Sequence, residues 1–393
     1  MLYLNDCGML CALGDTMAAI KASLWAGRSG VLPTTACSPG RSLPLGALPE
    51  QVPLPSMQHW PLAQRSRNNQ LALAALAQIR PTVDAAIAQF GHHRIGVVIG
   101  TSTSGIAETE MALYTLADTG VMPAQFAYQQ QEMGSPAQML AQELALAGPA
   151  FSHSSACASS AKAMASAARL INMGLCDAVL CGGVDTLCAF TVAGFSALES
   201  VSAEVCNPLS SNRNGINIGE GAGLFLMSRN PSAVALCGWG ESSDGHHMSA
   251  PDPAGSGALL AIGQALTRGG VQASQIDYIN LHGTATRQND AMEASVIHTL
   301  FGEQVAVSST KPLTGHTLGA AAAIEAGLCW ICMQDDNPAG QLPVHLWDGI
   351  QDTDLPQLNT VALGTGLGRP LQWALSNSFA FGGSNAALLF GRV

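Results

Sequence analysis

Cys157 stands in Ser154-Ser-Ala-Cys-Ala-Ser-Ser160, where a short apolar strand gives way to a helix of small residues. A cysteine so placed has the chemistry of a nucleophile. Unpaired N–H groups at a helix N-terminus, with the helix dipole, favour the thiolate, and small neighbours admit a bulky acyl group. His282 opens His-Gly-Thr-Ala-Thr-Arg-Gln-Asn-Asp290 directly after an apolar strand, and His316 closes Lys311-Pro-Leu-Thr-Gly-His316 directly before a helix. Both are expected at strand ends, where open parallel sheets place their ligands. A lone histidine in a turn is more often a structural hydrogen-bonder. Two of them in polar, glycine-rich loops, alongside such a cysteine, fit the logic of nucleophile, base and orienter. Near the C-terminus, Asn377 to Asn385 reads as a tight turn between strands at Leu371 to Leu375 and Ala386 to Phe390. Its backbone N–H groups are candidates for an oxyanion hole; a buried cap cysteine and a plain hairpin are the bland alternatives.

The elements that must hold these residues are legible as short apolar runs separated by alanine-rich stretches. Arg94 to Gly100, Ala178 to Cys181, Leu224 to Met227, Ile276 to Leu281 and Val305 to Val307 suit buried parallel strands. Asn68 to Ile79, Ala161 to Met173, Leu259 to Leu266 and Ala291 to Leu300 suit helices. Their alternation predicts an α/β architecture with mainly parallel sheets. Pro33 to Pro61 is too proline-rich for a long helix or a central strand and reads as an extended covering segment. Phe151 to Cys157 and Val307 to His316 share one plan of strand, turn, reactive residue and helix. That suggests two related halves meeting near the Asn230-Pro231-Ser232 turn signal.

Composition narrows the functional classes. The 393 residues carry 16 Lys+Arg against 27 Asp+Glu, a net charge of −11, and are 48% hydrophobic but only 11% charged. An ordinary soluble domain has about 25% charged residues, so most of this chain is expected inside a large, compact body. Without a clustered basic surface, no nucleic-acid partner is expected. The first cation is Lys21, which leaves no basic start for a secretory signal. No uncharged apolar stretch reaches the roughly 18 residues of a membrane span, so the chain reads as cytoplasmic. The 11 cysteines show no disulfide rhythm. Cys329-Trp-Ile-Cys332 has redox or zinc spacing, but it lies in an apolar helical stretch without further ligands, which favours packing over chemistry.

Taken in order, the blocks Ser-Ala-Cys157-Ala-Ser-Ser, His282-Gly-Thr-Ala-Thr, Lys311-Pro-Leu-Thr-Gly-His316 and Phe381-Gly382-Gly383-Ser-Asn385 resemble those of the β-ketoacyl-acyl-carrier-protein synthases of the thiolase superfamily, in their elongating form. Asn207-Pro208, Gly219-Glu-Gly-Ala-Gly223 and Asp244-Gly-His-His-Met248 match further landmarks. The resemblance implies a thiolase-like five-layered αβαβα fold of two related halves, residues 1–230 with Cys157 and residues 231–393 with His282, His316 and the Phe-Gly-Gly turn.

The same resemblance implies an acyltransferase, a 3-oxoacyl-carrier-protein synthase. Cys157 would carry the acyl chain. His282 and His316 would bind the malonyl thioester and its enolate. The N–H groups of Cys157 and Phe381 would hold the oxyanion, with Phe381 also acting as a gate beside Gly382 and Gly383. Lys311, Glu325, Asp290 and Glu293 would orient the site. No bound cofactor or metal is implied; the substrates ride on the phosphopantetheine of an acyl carrier protein. The His, His pair disfavours thiolases, which carry a second cysteine here, and starter-unit enzymes, which have Asn at the position of His316.

Ala285, Ala380 and Ile216 depart from the family's glycine, glycine and phenylalanine, and Ile216 is expected to reshape the acyl pocket. Such drift points to a specialised pathway, for instance a type II polyketide or aryl polyene system. Dimerisation with itself or with a chain-length factor is expected. A non-catalytic scaffold subunit is disfavoured because all three reactive residues are kept. Between Arg94 and Lys162 the chain has no cation, which leaves Arg65 and Arg67 as candidates for the carrier-protein contact.

Overall fold

The computed structural model describes residues 1–393. Its strands are β1 (Leu2–Cys11), β2 (Leu32–Thr34), β3 (Leu43–Leu45), β4 (Ile95–Gly100), β5 (Ala150–His153), β6 (Ala178–Asp185), β7 (Gly221–Ser228), β8 (Val234–Ser243), β9 (Tyr278–Asn280), β10 (Ala306–Ser308), β11 (Asn359–Thr360), β12 (Trp373–Ala380) and β13 (Ser384–Arg392). β2 and β3 form a hairpin within the proline-rich segment, and the rest make one ladder ordered β11-β10-β9-β12-β13-β8-β1-β7-β6-β4-β5.

That order repeats itself. β4 pairs in parallel with β5 and β6, and β7 pairs antiparallel with β6 and β1. β9 pairs in parallel with β10 and β12, and β13 pairs antiparallel with β12 and β8. Each set of five therefore has the same connectivity, and the two sets meet through the short antiparallel contact of Leu2 and Tyr3 with Leu236 and Ala235.

The core clusters follow the layers. A cluster of 46 buried residues joins helices Ser159–Asn172 and Ala321–Cys332 to strands of both sets. A cluster of 25 lies between the first set and helices Arg67–Phe90 and Ser135–Glu143, and one of 18 between the second set and helices Ser256–Gly269 and Arg287–Phe301. Helix, sheet, two central helices, sheet, helix is the αβαβα arrangement. The central helices have little solvent face, which explains their composition: Ala321–Cys332 buries every residue except Trp330, and Ser159–Asn172 exposes only Arg169 and Asn172. Ser159–Asn172 lays five alanines into the core. Small side chains let two sheets close on one helix layer at interior packing density.

Several elements differ from the sequence expectation. The helix anticipated over Asn68 to Ile79 runs Arg67–Phe90, straight through Pro81. Proline removes one interior hydrogen bond, but buried Leu71, Leu76, Ile79 and Val83 continue on both sides of it. The helix is anchored by the Ser66 cap on the Asn69 N–H and ended by Gly91 at φ +83. It is long and apolar enough to cross a membrane, yet it carries Arg80 and Asp84 and packs on β1, β6 and β7.

Strands β1 and β8, at the centre of the ladder, carried no clear period-2 signal. β1 has Asn5, Asp6 and a register shift between Leu4 and Asp6. β8 carries Gly238 and Gly240, where an added Cβ would stand 2.1 and 1.7 Å from the Ala265 and Ala261 carbonyl oxygens of the helix above.

Candidate active site

Cys157 lies between the end of β5 and the first turn of helix Ser159–Asn172, after Ala156 at φ +46. That left-handed residue turns the chain sharply so that the thiol leaves the turn toward the site. Beneath it, a Cβ on Gly100 would stand 2.3 Å from the Ser160 nitrogen, so β4 touches the start of helix Ser159–Asn172 directly.

Cys157 is 4% exposed, and its Sγ lies 3.0 Å from His316 Nε2. Burial pushes the thiol up to about 11, against the lowering influence of Lys311 and of the Phe381 and Cys157 N–H groups. Here the structure corrects the expectation of a favoured thiolate: desolvation outweighs the helix terminus. The two N–H groups nevertheless lie close enough to the sulfur to lower its pKa.

His282 and His316 are also buried, with ring centroids 5.4 Å apart and nearly perpendicular planes. Burial, reinforced by Lys311, holds both well below the usual histidine range, so both rings are neutral. Lys311 Nζ donates to the His282 carbonyl and to Glu325 Oε1, both at 2.5 Å, and lies 3.5 Å from His282 Nδ1. An ammonium has no acceptor, so Nδ1 must be the acceptor and the His282 proton belongs at Nε2. Nε2–H then faces the site as a donor. The reactive atoms of Cys157, His282 and His316 all lie within 4.8 Å of one another.

Carboxylates fix the loop beneath. Glu293 accepts the His282 and Gly283 N–H groups at 2.8 and 2.7 Å and the Asn377 amide at 3.3 Å. Burial pushes Glu293 up to about 7 even so. Asp290 accepts the Leu209 and Ala285 N–H groups at 2.8 and 3.2 Å, the latter from a residue at φ +63 where the family keeps glycine. Glu325 sits in the wholly buried part of its helix and is raised by that burial against the pull of Lys311.

The pocket around these residues is narrow and is lined by Cys157, His282, His316, Ile216, Phe195 and Phe381, with Phe379 against His282. Phe381 packs against Phe195 at 5.6 Å, and its turn is tied to the facing loop by the Gly382 N–H on the Met248 carbonyl and the Asp244 N–H on the Gly383 carbonyl, each 2.8 Å. Gly382 and Gly383 take φ +83 and +74, which side-chain-bearing residues adopt poorly. The turn is confined to residues 381–383, since β12 runs to Ala380 and β13 starts at Ser384. Phe195 and Phe379 went unnoticed in the sequence, because an aromatic in an apolar run carries no local mark of lining a pocket.

The remaining candidates lie apart. Arg67 forks onto buried Glu220, with Nη2 to Oε1 at 2.6 Å and Nε to Oε2 at 3.0 Å. Arg65 donates to the Trp60 and Gln58 carbonyls. Arg67's charge is therefore paired within the chain's own fold, whereas Arg65, exposed and held only by neutral carbonyls, keeps its charge at the surface. Cys329 and Cys332 are buried in the central helix with thiols pushed far up by burial, the state of inert packing residues.

Comparison with known proteins bears on the whole chain. Residues 63–233 match the β-ketoacyl synthase N-terminal domain and residues 234–345 its C-terminal domain. Nodulation protein E of Rhizobium sp. strain N33 is 32% identical over 98% of both chains. The 3-oxoacyl-[acyl-carrier-protein] synthase 2 of Rhizobium meliloti is 34% identical over 76% of this chain and 74% of its own. Among solved structures, a chain of the complex of a ketosynthase with its chain length factor from Xenorhabdus doucetiae is 45% identical, with TM-score 0.93 over 100% of this chain and 98% of that one. A chain of the ishigamide ketosynthase/chain length factor is 26% identical with TM-score 0.89, over 100% and 99%. Family match, full-length relatives and fold agree, and the chain belongs to the β-ketoacyl synthases, acyltransferases that build carbon chains by condensation.

Proposed function

We propose that this chain elongates a carrier-bound acyl chain by decarboxylative Claisen condensation, with Cys157 as the nucleophile. The observation that carries the reading is the 3.0 Å contact of Cys157 Sγ with His316 Nε2 beside a second neutral imidazole. In the resting state the thiol donates to Nε2, a neutral pair suited to a dry site.

In the first half-reaction the sulfur attacks the acyl thioester carbonyl. The carbonyl oxygen takes the charge under the Cys157 and Phe381 N–H groups, His316 receives the thiol proton, and the departing pantetheine thiol takes it away. The C–S bond to the carrier breaks as the bond to Cys157 forms. In the second half-reaction, with the thiol proton gone and Cys157 acylated, the His316 ring proton moves from Nδ1 to Nε2; malonyl-carrier protein then loses carbon dioxide, and its electron pair becomes an enolate whose oxygen is bonded by Nε2–H of both histidines. The enolate carbon attacks the acyl-Cys157 carbonyl, the C–C bond forms, and the Cys157 thiolate leaves and is reprotonated. Two neutral donors suit this step better than a strong base, because the charge to be held is on oxygen. Lys311 keeps the His282 tautomer, while Glu325, Asp290 and Glu293 orient their loops. The cargo is carried on phosphopantetheine, which is substrate and not a resident cofactor.

The observed connectivity of the strand sets and the family boundary at 233/234 support a division into halves 1–230 and 231–393. Eleven free cysteines suit a reducing cytoplasm. The likeness to two ketosynthase/chain-length-factor complexes favours a heterodimer over a homodimer, in a specialised polyketide or polyene pathway. The surface left for a second subunit includes the edge strand β5 with half-exposed Phe151, and Met111, Leu113 and Tyr114 of helix Ile106–Thr119.

The test is incubation with acyl-carrier proteins of graded chain length, followed by digestion and mass spectrometry. An acyl mass on the Cys157 peptide, absent from Cys157→Ala, is expected. An enzyme that condenses with Cys157 never acylated would overturn the assignment.

A further inference from the structure

The chain is acidic at −11, and carrier proteins are acidic too, so the few free cations matter more than the total. Among its Lys and Arg side chains, all but Arg28, Arg41, Lys162 and Arg287 hold a hydrogen-bond or ion-pair partner within the chain. Arg28 lines a separate cavity beside the β2–β3 hairpin, Arg41 sits in the link between those strands, and Lys162 lies on the half-buried side of helix Ser159–Asn172.

Arg287 is different in place. It is exposed, and the residues on either side of it, Thr286 and Gln288, line the active-site pocket. The pocket grades from a buried floor at Cys157, His282 and His316 through half-buried Ser249 and Thr286 to exposed Gln288. The backbone of Arg287 therefore stands at the rim, with its flexible side chain in solvent near Asp352. A carboxylate in its neighbourhood, Asp352, is already bonded to Arg213, so the guanidinium is not neutralised by its own chain.

We propose that Arg287 binds the phosphate of the carrier protein's phosphopantetheine arm as the thioester reaches Cys157. The proposal rests on the condensing reading above. The arm is a long, flexible chain with sulfur at one end and phosphate at the other. With the thioester on the pocket floor and the chain threaded outward, the phosphate emerges at the rim, where a planar guanidinium can hold it through two parallel hydrogen bonds. The site takes one phosphate on a flexible arm. It places one charge, free of any hydrogen-bonded partner, at the place where the arm must pass.

The full-length enzyme is assayed for Cys157 acylation with three donors carrying the same acyl group: N-acetylcysteamine, pantetheine and 4′-phosphopantetheine thioesters. The wild type is expected to use the phosphorylated donor about five- to tenfold better than the pantetheine donor in kcat/KM, as befits a charge-assisted pair at a partly wetted rim. That preference should shrink as salt screens it. Arg287→Ala is expected to bring the ratio to within about twofold of unity, while Arg287→Lys retains part of it. Equal preference in wild type and Arg287→Ala, or no preference in the wild type, overturns the assignment to Arg287 while leaving condensation standing. A wild type acylated by acyl-carrier protein but by none of the three donors overturns this inference alone, and one acylated by neither overturns the condensing reading with it.

Discussion

Replacing Lys311 by methionine keeps the length of the side chain and removes its charge. The ammonium is 1% exposed and bonded to Glu325, itself 2% exposed. Breaking one side of a buried ion pair costs about 3–5 kcal/mol, a large part of an ordinary total of about 5–15 kcal/mol. Removing both sides is often near neutral, so Lys311→Met/Glu325→Leu should be more stable than Lys311→Met.

The pH dependence has a definite sign. Burial holds the Glu325 carboxyl above its unfolded value, with Lys311 opposing, and without the lysine it rises further. A raised carboxyl contributes stability fully present below its unfolded value and lost as pH rises through its folded value. The deficit of Lys311→Met should therefore be smaller at pH 5 than at pH 8, because at pH 5 the lone carboxyl escapes by taking a proton. Denaturant titrations of both single variants and the double at the two pH values measure this directly.

The second readout is chemical. His282 Nδ1 loses the donor that fixes its tautomer, so decarboxylation of a malonyl thioester should slow by about tenfold or more, bounded by the about 10²–10³ of losing an oxyanion donor outright. Acylation of Cys157 should slow less. A deficit independent of pH, a double variant no better than the single, and an unchanged decarboxylation rate would together refute the role assigned to Lys311.

Three further outcomes are expected. Because burial pushes the Cys157 thiol up to about 11, its alkylation by iodoacetamide should accelerate continuously through pH 9; a plateau reached near pH 7 would mean a stable thiolate and an ion pair with His316. Gly100→Ala drives a methyl into the Ser160 backbone nitrogen, 2.3 Å away, so it should cost about 1–3 kcal/mol and displace Cys157 from His316; unaltered acylation would show that the helix start is free to move. Ile216→Phe narrows a buried stretch of pocket wall and should shift the long-against-short acyl preference in kcat/KM by about tenfold, within the roughly 10–200-fold that pocket size commands; an unchanged product profile would free the pocket from Ile216.

What could be read in the sequence was the chemistry and not the framework that joins it. Cys157, His282 and His316 stand out because polar, reactive residues at the ends of apolar strands have few structural reasons to be there, and the structure gathers them within 4.8 Å. The strands behind them were legible wherever a run was purely apolar, as in β4 and β6. β1 and β8 were not, because each meets a helix backbone too closely to keep its side chains. Gly8, for example, leaves room for the Ala75 carbonyl oxygen, which an added Cβ would approach to 2.1 Å. Close packing erased the period-2 pattern by which a strand is recognised.

The ionisation of Cys157 was misjudged for a related reason: helix position is written in the sequence, whereas the burial that outweighs it comes from tertiary neighbours such as His316, 159 positions away. Charge obeys the same logic. Arg65 and Arg67 looked alike because exposure on a helix face is the ordinary fate of arginine, but a carboxylate 153 positions away had already paired Arg67, while Arg65 meets only two neutral carbonyls. A net charge counts such committed groups and free ones alike. What an acidic carrier meets is set by the few cations left over, and their number follows from tertiary pairing that composition does not contain.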